Sequence, residues 1–188
     1  MADPMLYDYP DPLEGWKDQE PLSTQRNPDG KSLKNTQTPI LSQSYTTFID
    51  PLAQDSRGAF DIHIYYTATS TFETSFARSL HERIRREFPE LRIYPMFDRP
   101  VGPHPKAMFE VNLFSPQQFG AFVPWLVIHR GPLSALLHPN TDDAVRDHTQ
   151  RATWMGQQLA LNVDSLIEFE RRRAAAEKSA TTTTNDGA

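Results

Sequence analysis

The sequence predicts an α+β sandwich, and three observations carry that reading. Asp61-Ile62-His63-Ile64-Tyr65-Tyr66 and the segment 108–114 alternate apolar and polar residues with a period of two, as half-buried strands do. Each is followed closely by a helix-start signal, Ser70-x-x-Glu73 after the first and Ser115-Pro116 after the second. Two further β-rich stretches, 91–97 and 133–137, complete the order β-α-β-β-α-β.

Each element has its own warrant. The first strand ends at Tyr66, and the helix after Ser70 repeats Phe72, Phe76, Leu80 and Ile84 every four residues until Pro89 stops it. Leu91-Arg92-Ile93-Tyr94-Pro95-Met96-Phe97 is a second strand, and the missing N–H of Pro95 assigns it to a sheet edge. A turn-rich run, Arg99-Pro100-Val101-Gly102-Pro103-His104-Pro105, leads into the third strand. The second helix turns Phe119, Phe122 and Val123 inward, should kink or restart at Pro124, and ends at Gly131. Leu133-Ser134-Ala135-Leu136-Leu137 is the fourth strand, and 142–154 reads as a last helix. The order is the split βαβ of a ferredoxin-like sandwich with a C-terminal helix. Strands one and three are expected central and parallel, strand four beside strand one, strand two outside strand three, and both helices on one face.

Composition sets the boundaries. The chain has 188 residues, of which 38 % are hydrophobic and 16 are proline, and the apolar deficit lies at the two ends. Residues 1–46 are rich in Asp, Pro, Gln, Ser and Asn, and 171–188 run from three arginines into alanines and threonines. Neither segment has enough apolar surface to offset its ordering entropy, so both are expected to be flexible. The core domain is 47–170, roughly 120 residues, an ordinary size for one unit.

The same numbers exclude several functions. There is no cysteine, hence no disulfide, zinc-thiolate site or thiol nucleophile, which fits a reducing, cytoplasmic setting. The acidic first twenty residues argue against a secretory or mitochondrial leader, and no apolar run approaches a membrane span. A formal net charge of −5 argues against nucleic acid as a partner, and Arg83, Arg85 and Arg86 lie among Glu82 and Glu87 as a solvated helix face.

Strand parity then sorts the polar residues. Ile62, Ile64, Tyr66 and Phe109, Val111, Leu113 belong under the helices; Asp61, His63, Tyr65 and Met108, Glu110, Asn112 point the other way. Ser134, Leu136 and His138 can join that open face. His63, Glu110 and His138 together make two imidazoles and a carboxylate, a set that leaves open positions on a divalent iron. Glu110 paired with Arg99 or Arg130, beside histidines that merely hydrogen-bond, is the other reading. His104, between two prolines, is a ligand, an acid–base group or part of a rigid turn. His148 is a ligand, a general acid or a solvated neighbour of Asp147. His129 sits at a helix C-terminus, where the dipole favours it, and His81 reads as a surface residue.

Phe60-Asp61-Ile62-His63-Ile64-Tyr65-Tyr66, Pro100-Val101-Gly102-Pro103-His104-Pro105 with Met108-Phe109-Glu110-Val111, and His138-Pro139-Asn140-Thr141 through Asp147-His148-Thr149 to Ala152-x-Trp154-x-Gly156 together resemble the DOPA 4,5-dioxygenase family, in order, over about residues 59–160. The resemblance implies extradiol cleavage of a catechol such as L-DOPA by non-haem Fe(II) and O2. The product would be a seco-DOPA that cyclises to betalamic acid or muscaflavin pigments. Iron would be held by His63, His138 and one carboxylate, Glu110 before Asp61. His148 and His104 would move protons, and Arg99 or Arg130 would receive the substrate carboxylate, with His129 and Tyr65 as further substrate contacts. Many members carry His-x-His on the first strand where this chain has Asp61-x-His63, so either Asp61 stands in as a carboxylate ligand or the site is altered. An exposed sheet face or edge also commonly supports a homodimer. The alternative is a metal-free ferredoxin-like module that binds an aromatic metabolite; a hydrolase built on His104 ranks last, for want of a nucleophile motif.

Overall fold

In a computed structural model of the chain, residues 7–185 are described, with side chains as far as residue 175. Its centre is a five-stranded sheet formed by β1 (Phe60–Tyr66), β2 (Arg92–Ile93), β3 (Ala107–Leu113), β4 (Ser134–Pro139) and β5 (Thr153–Met155). The order across the sheet is β2-β3-β1-β4-β5, and every neighbouring pair is antiparallel. The α+β class and the expected strand order are both present. The central pair corrects the expectation of parallel strands. β1 and β2 run the same way because a helix crosses between them; β3 then returns beside β2 and so opposes β1.

Helix α1 (Thr71–Glu87) starts as the capping box predicts, with Ser70 Oγ accepting from the Glu73 N–H at 3.2 Å. The Glu73 carboxylate reaches back one turn further than expected, to the Thr67 N–H at 2.7 Å. Its buried stripe is Ala77, Leu80 and Ile84, whereas Phe72 is 66 % exposed. A four-residue repeat drifts by about 40° per step on a helix of 3.6 residues per turn, so a run of three steps carries Phe72 off the core face.

Helix α2 (Pro116–His129) is capped by Ser115 Oγ and continues through Pro124 without restarting. Pro124 and Gly120, whose carbonyl the proline leaves without its helical partner, are both solvent-exposed, so water can satisfy that oxygen. Gly131 closes the helix with φ +57°, and a Cβ there would lie 2.2 Å from the Phe76 ring, so only glycine fits.

The expected helix over 142–154 is instead a short helix α3 (Ala144–His148) followed by β5. Ala135, Leu136 and Leu137 pair with Met155, Trp154 and Thr153, and that ladder takes the residues a longer helix would have needed. β2 is shorter than expected because Pro95 cannot donate; pairing resumes as a bridge between Phe97 and Met108. Residues 171–185, expected as tail, continue helix α4 (Val163–Asn185), and residues 186–188 lie outside the described part. Residues 7–46 run over the surface with a single 3-10 turn, Gln43–Tyr45.

The alternation of the strands divides two interiors. Ile62, Ile64, Phe109, Val111, Ala135 and Leu137 pack under α1 and α2 with Leu80, Ile84, Phe122 and Leu126. On the other face Tyr65, Met108 and Leu136 pack with Phe97, Trp154, Leu159 and Leu161. No helix among the described residues is long and apolar enough to cross a membrane.

Candidate metal centre

The register places the polar residues of the open face side by side. His63 stands opposite Glu110 on β3, while Asp61 is flanked by Asn112 on β3 and His138 on β4. His104, from the turn before β3, and His148, the last residue of α3, close over this row. The His63 ring centre is 3.9 Å from that of His104 and 5.1 Å from that of His138, and His138 is 3.8 Å from His148. Four of the six histidines therefore form one cluster.

Hydrogen bonds fix which nitrogens are available. His138 Nδ1 is 2.8 Å from the Pro139 carbonyl and His148 Nδ1 is 2.8 Å from the Ala144 carbonyl. A carbonyl only accepts, so both Nδ1 atoms carry the proton and both Nε2 atoms present a lone pair. His138 Nε2 lies 3.0 Å from His63 Nε2. His63 Nδ1 is buried with no hydrogen-bond partner, and Glu110 Oε2 lies 3.9 Å from it. His104 Nδ1 is 2.7 Å from the Tyr65 hydroxyl.

Electrostatics follow from burial. Desolvation, then the neighbouring imidazoles, holds His63 well below the usual histidine range. Burial lowers His104 to about 3, His138 to about 4 and His148 to about 3. All four rings are neutral at pH 7 and available as donors of electron pairs. The carboxylates move the opposite way: burial raises Asp61 to about 6, and burial together with Asp61 raises Glu110. Burial also raises the Tyr65 phenol, keeping it protonated.

These residues fit a divalent cation. Asp61, His63 and His138 each offer a ligand atom within 4.8 Å of the others, and so do His63, His104 and His148. Two nitrogens each about 2.1 Å from one ion and at right angles stand about 3.0 Å apart, the separation observed between His63 Nε2 and His138 Nε2. With Nε2 committed to an ion, the His63 proton would belong on Nδ1, which faces Glu110 Oε2 at 3.9 Å. Glu110 is in neither ligand set.

Asn112 and Asp147 are further parts of the site that sequence reasoning did not single out. Asn112, 1 % exposed, donates through Nδ2 to both Asp61 and Glu110 and accepts from Arg92 Nε at 2.6 Å. Its parity with Glu110 was the available signal. Asp147, 2 % exposed, accepts from the Thr141 N–H at 2.7 Å, from the Thr141 hydroxyl and from Arg151 at 2.9 Å. It ties the chain just after His138 to the helix that ends in His148.

A cavity of about 430 Å³ reaches His148, with Tyr7, Val145, Thr149, Trp154 and Leu159 among its walls. Trp154 stacks on Tyr65, their ring centres 5.7 Å apart, so Tyr65 joins the site. The remaining expected substrate contacts are not brought to it. Arg99 lines a different cavity, beside Tyr66, Arg78 and Asp98. Arg130 donates to the Leu133 carbonyl at 2.7 Å in the α2–β4 turn, and His129 packs on Trp125 and Arg83 in the helix layer. His81, expected on the surface, caps the Tyr94 carbonyl at 3.0 Å.

The family model for the Dopa 4,5-dioxygenase family matches residues 60–165, which holds all of these groups except Tyr7. A 21.2 kDa protein of Botryotinia fuckeliana with no described function is 58 % identical over 182 residues, covering 93 % of this chain and all of that protein. A DOPA 4,5-dioxygenase of Amanita muscaria is 32 % identical over 109 residues, 55 % of this chain and 47 % of that enzyme, so the likeness spans about half its length. A candidate dioxygenase from Nostoc punctiforme, known from a crystal structure, is 37 % identical with a TM-score of 0.50, covering 60 % of this chain and 93 % of its own. The match takes in more than half of the chain and every histidine of the cluster, and the chain belongs to the Dopa 4,5-dioxygenase family, among the oxygenases.

Proposed function

We propose that the chain is a non-haem iron dioxygenase that opens the ring of a catechol such as L-DOPA beside its diol, both atoms of O2 entering a seco-DOPA product. The observation that carries the reading is the convergence of four neutral imidazoles and two carboxylates at the end of an aromatic-walled cavity. Asp61, His63 and His138 hold the iron, a set of two imidazoles and one carboxylate that leaves positions for other ligands. Bound Fe(II) supplies the electron relay that lets O2, a triplet, react with a closed-shell ring.

The protein groups do the rest. Glu110, 3.9 Å from His63 Nδ1, is the carboxylate that would orient that ring toward the site. His148, at the cavity wall, is the first imidazole an entering diol meets, and its free Nε2 takes a diol proton. Its low basicity rises beside a catecholate, because an adjacent anion favours the imidazolium. The proton that His148 takes from the diol is the one returned to the opened ring, and His104, hydrogen-bonded to Tyr65, is the second imidazole beside which it moves. Trp154 and Leu159 keep water from the ring being cleaved.

The test is metal analysis of purified protein, anaerobic Fe(II) loading, and oxygen uptake with L-DOPA with a yellow product as readout. His63→Ala and His138→Ala should each lose iron and oxygen uptake. Asp61→Asn should weaken iron retention more than His104→Ala does; the reverse order would move the ion to His63, His104 and His148. Wild-type protein that holds no iron and consumes no oxygen with a panel of catechols would leave the metal-free binding module standing.

A further inference from the structure

Residues 7–46, which precede the matched family region, are polar and largely exposed, yet one of them lines the cavity. Among residues 7–46 only Tyr7 and Asn27 are half-buried, the rest being exposed. The Tyr7 hydroxyl lies 3.3 Å from Thr149 Oγ1, and the Thr149 hydroxyl proton is already directed at the Val145 carbonyl, 2.6 Å away. The phenol is therefore the donor, and its oxygen keeps lone pairs for another partner. Arg146 holds the segment down: its guanidinium lies 4.7 Å from the Tyr7 ring centre and 5.5 Å from that of Tyr9, and it donates to the Asp8 carbonyl at 3.3 Å. Gln150 accepts from Arg146 Nε at 2.9 Å and sets its direction.

These contacts all converge on α3, the five-residue helix that presents His148. A flexible arm gains little from touching a surface at one aromatic residue unless that residue completes something. Here it completes a wall: Tyr7 and Trp154 are the two large aromatic rings of the cavity, and His148 lies in the same lining. Such a space suits a flat ring carrying hydroxyl groups, with an apolar body and a donor for the phenolic oxygen of Tyr7.

We propose that Tyr7, clamped by Arg146, is a substrate-contacting residue that sets the affinity of this site for an aromatic diol; the proposal rests on the catechol reading above. The arm thus belongs to the enzyme's pocket although it lies outside the matched family region. Loss of one aromatic contact of this kind weakens binding by roughly tenfold.

The test uses the full chain, loaded anaerobically with Fe(II), titrated with 4-nitrocatechol and followed by visible absorption. Tyr7→Ala and Arg146→Ala should each raise the dissociation constant by roughly tenfold while iron content and melting temperature stay at wild-type values. Tyr7→Phe, which keeps the ring, should retain most of the affinity. Tyr7→Ala protein that binds 4-nitrocatechol as tightly as wild type overturns the assignment of Tyr7 and leaves the catechol reading intact. Wild-type protein that holds iron and binds no 4-nitrocatechol overturns the catechol reading and the role of Tyr7 with it.

Discussion

Asn112 shows how much of this centre depends on one neutral side chain. Asp61 and Glu110 sit on the same face of adjacent strands, both with raised pKa, and the Asn112 amide donates to each. Asn112→Ala removes both hydrogen bonds and leaves two half-buried carboxylates side by side. That change should cost about 1–3 kcal/mol, read by denaturant titration, and should weaken iron retention; an unchanged midpoint would mean that water replaces the amide. His63 and His138 were legible from the chain because parity on β1 and β4 lets them share a face, with Glu110 joining them from β3. The approach of His104 and His148 to that face was not set by parity, since one comes from a turn and the other from a short helix, and only tertiary packing brings them over the strands. Arg99 and Arg130 were reasonable partners for a carboxylate by type, but loop geometry sends one to another cavity and the other to its own turn.

Among the α-helices of the described residues, α3 is the shortest and is held most indirectly. Five residues make few helical hydrogen bonds, so Asp147 supplies what propensity cannot, through Thr141 on one side and Arg151 on the other. Asp147→Ala should lower stability by about 2–3 kcal/mol and misplace His148, reducing turnover while iron stays bound by β1 and β4. Loss of iron in that variant would favour His148 as a ligand. Gly131→Ala is the contrasting case. It strains a left-handed position and collides with Phe76 on the far side of the sheet, so thermal denaturation should fall while activity per folded molecule is kept. β1, α1, β3 and α2 were readable because their period and caps agree, whereas α4, the longest element, was not, its alanine- and threonine-rich end reading as tail. The break of 142–154 into α3 and β5 was not, because the β4 edge that recruits Thr153, Trp154 and Met155 is a tertiary partner.

For the molecule as a whole, burial of the cluster links stability to pH. Each histidine of the cluster has a folded pKa below 6.5, so its contribution is full above 6.5 and is lost as pH falls, toward about 4 for His138 and about 3 for His104 and His148. Asp61 acts in the opposite sense: its contribution is full below 3.8 and is lost as pH rises through about 6. Between pH 6.5 and 5 the four imidazoles outnumber the carboxylates, so metal-free protein should melt roughly 5–10 °C lower at pH 5 than at pH 7. Calorimetry in chelator checks this, and a melting point that holds or rises on acidification would mean that the cluster is not buried in solution. The central position of β1 has one more consequence, for how the chain is made. His63 must find His138 across 75 residues, and β1 cannot be flanked on both sides until β4 has been synthesised. Until then a strand rich in aromatic and β-branched residues has an open edge. A chain that ends before Ser134 is therefore expected to aggregate during synthesis rather than accumulate as an inactive soluble fragment.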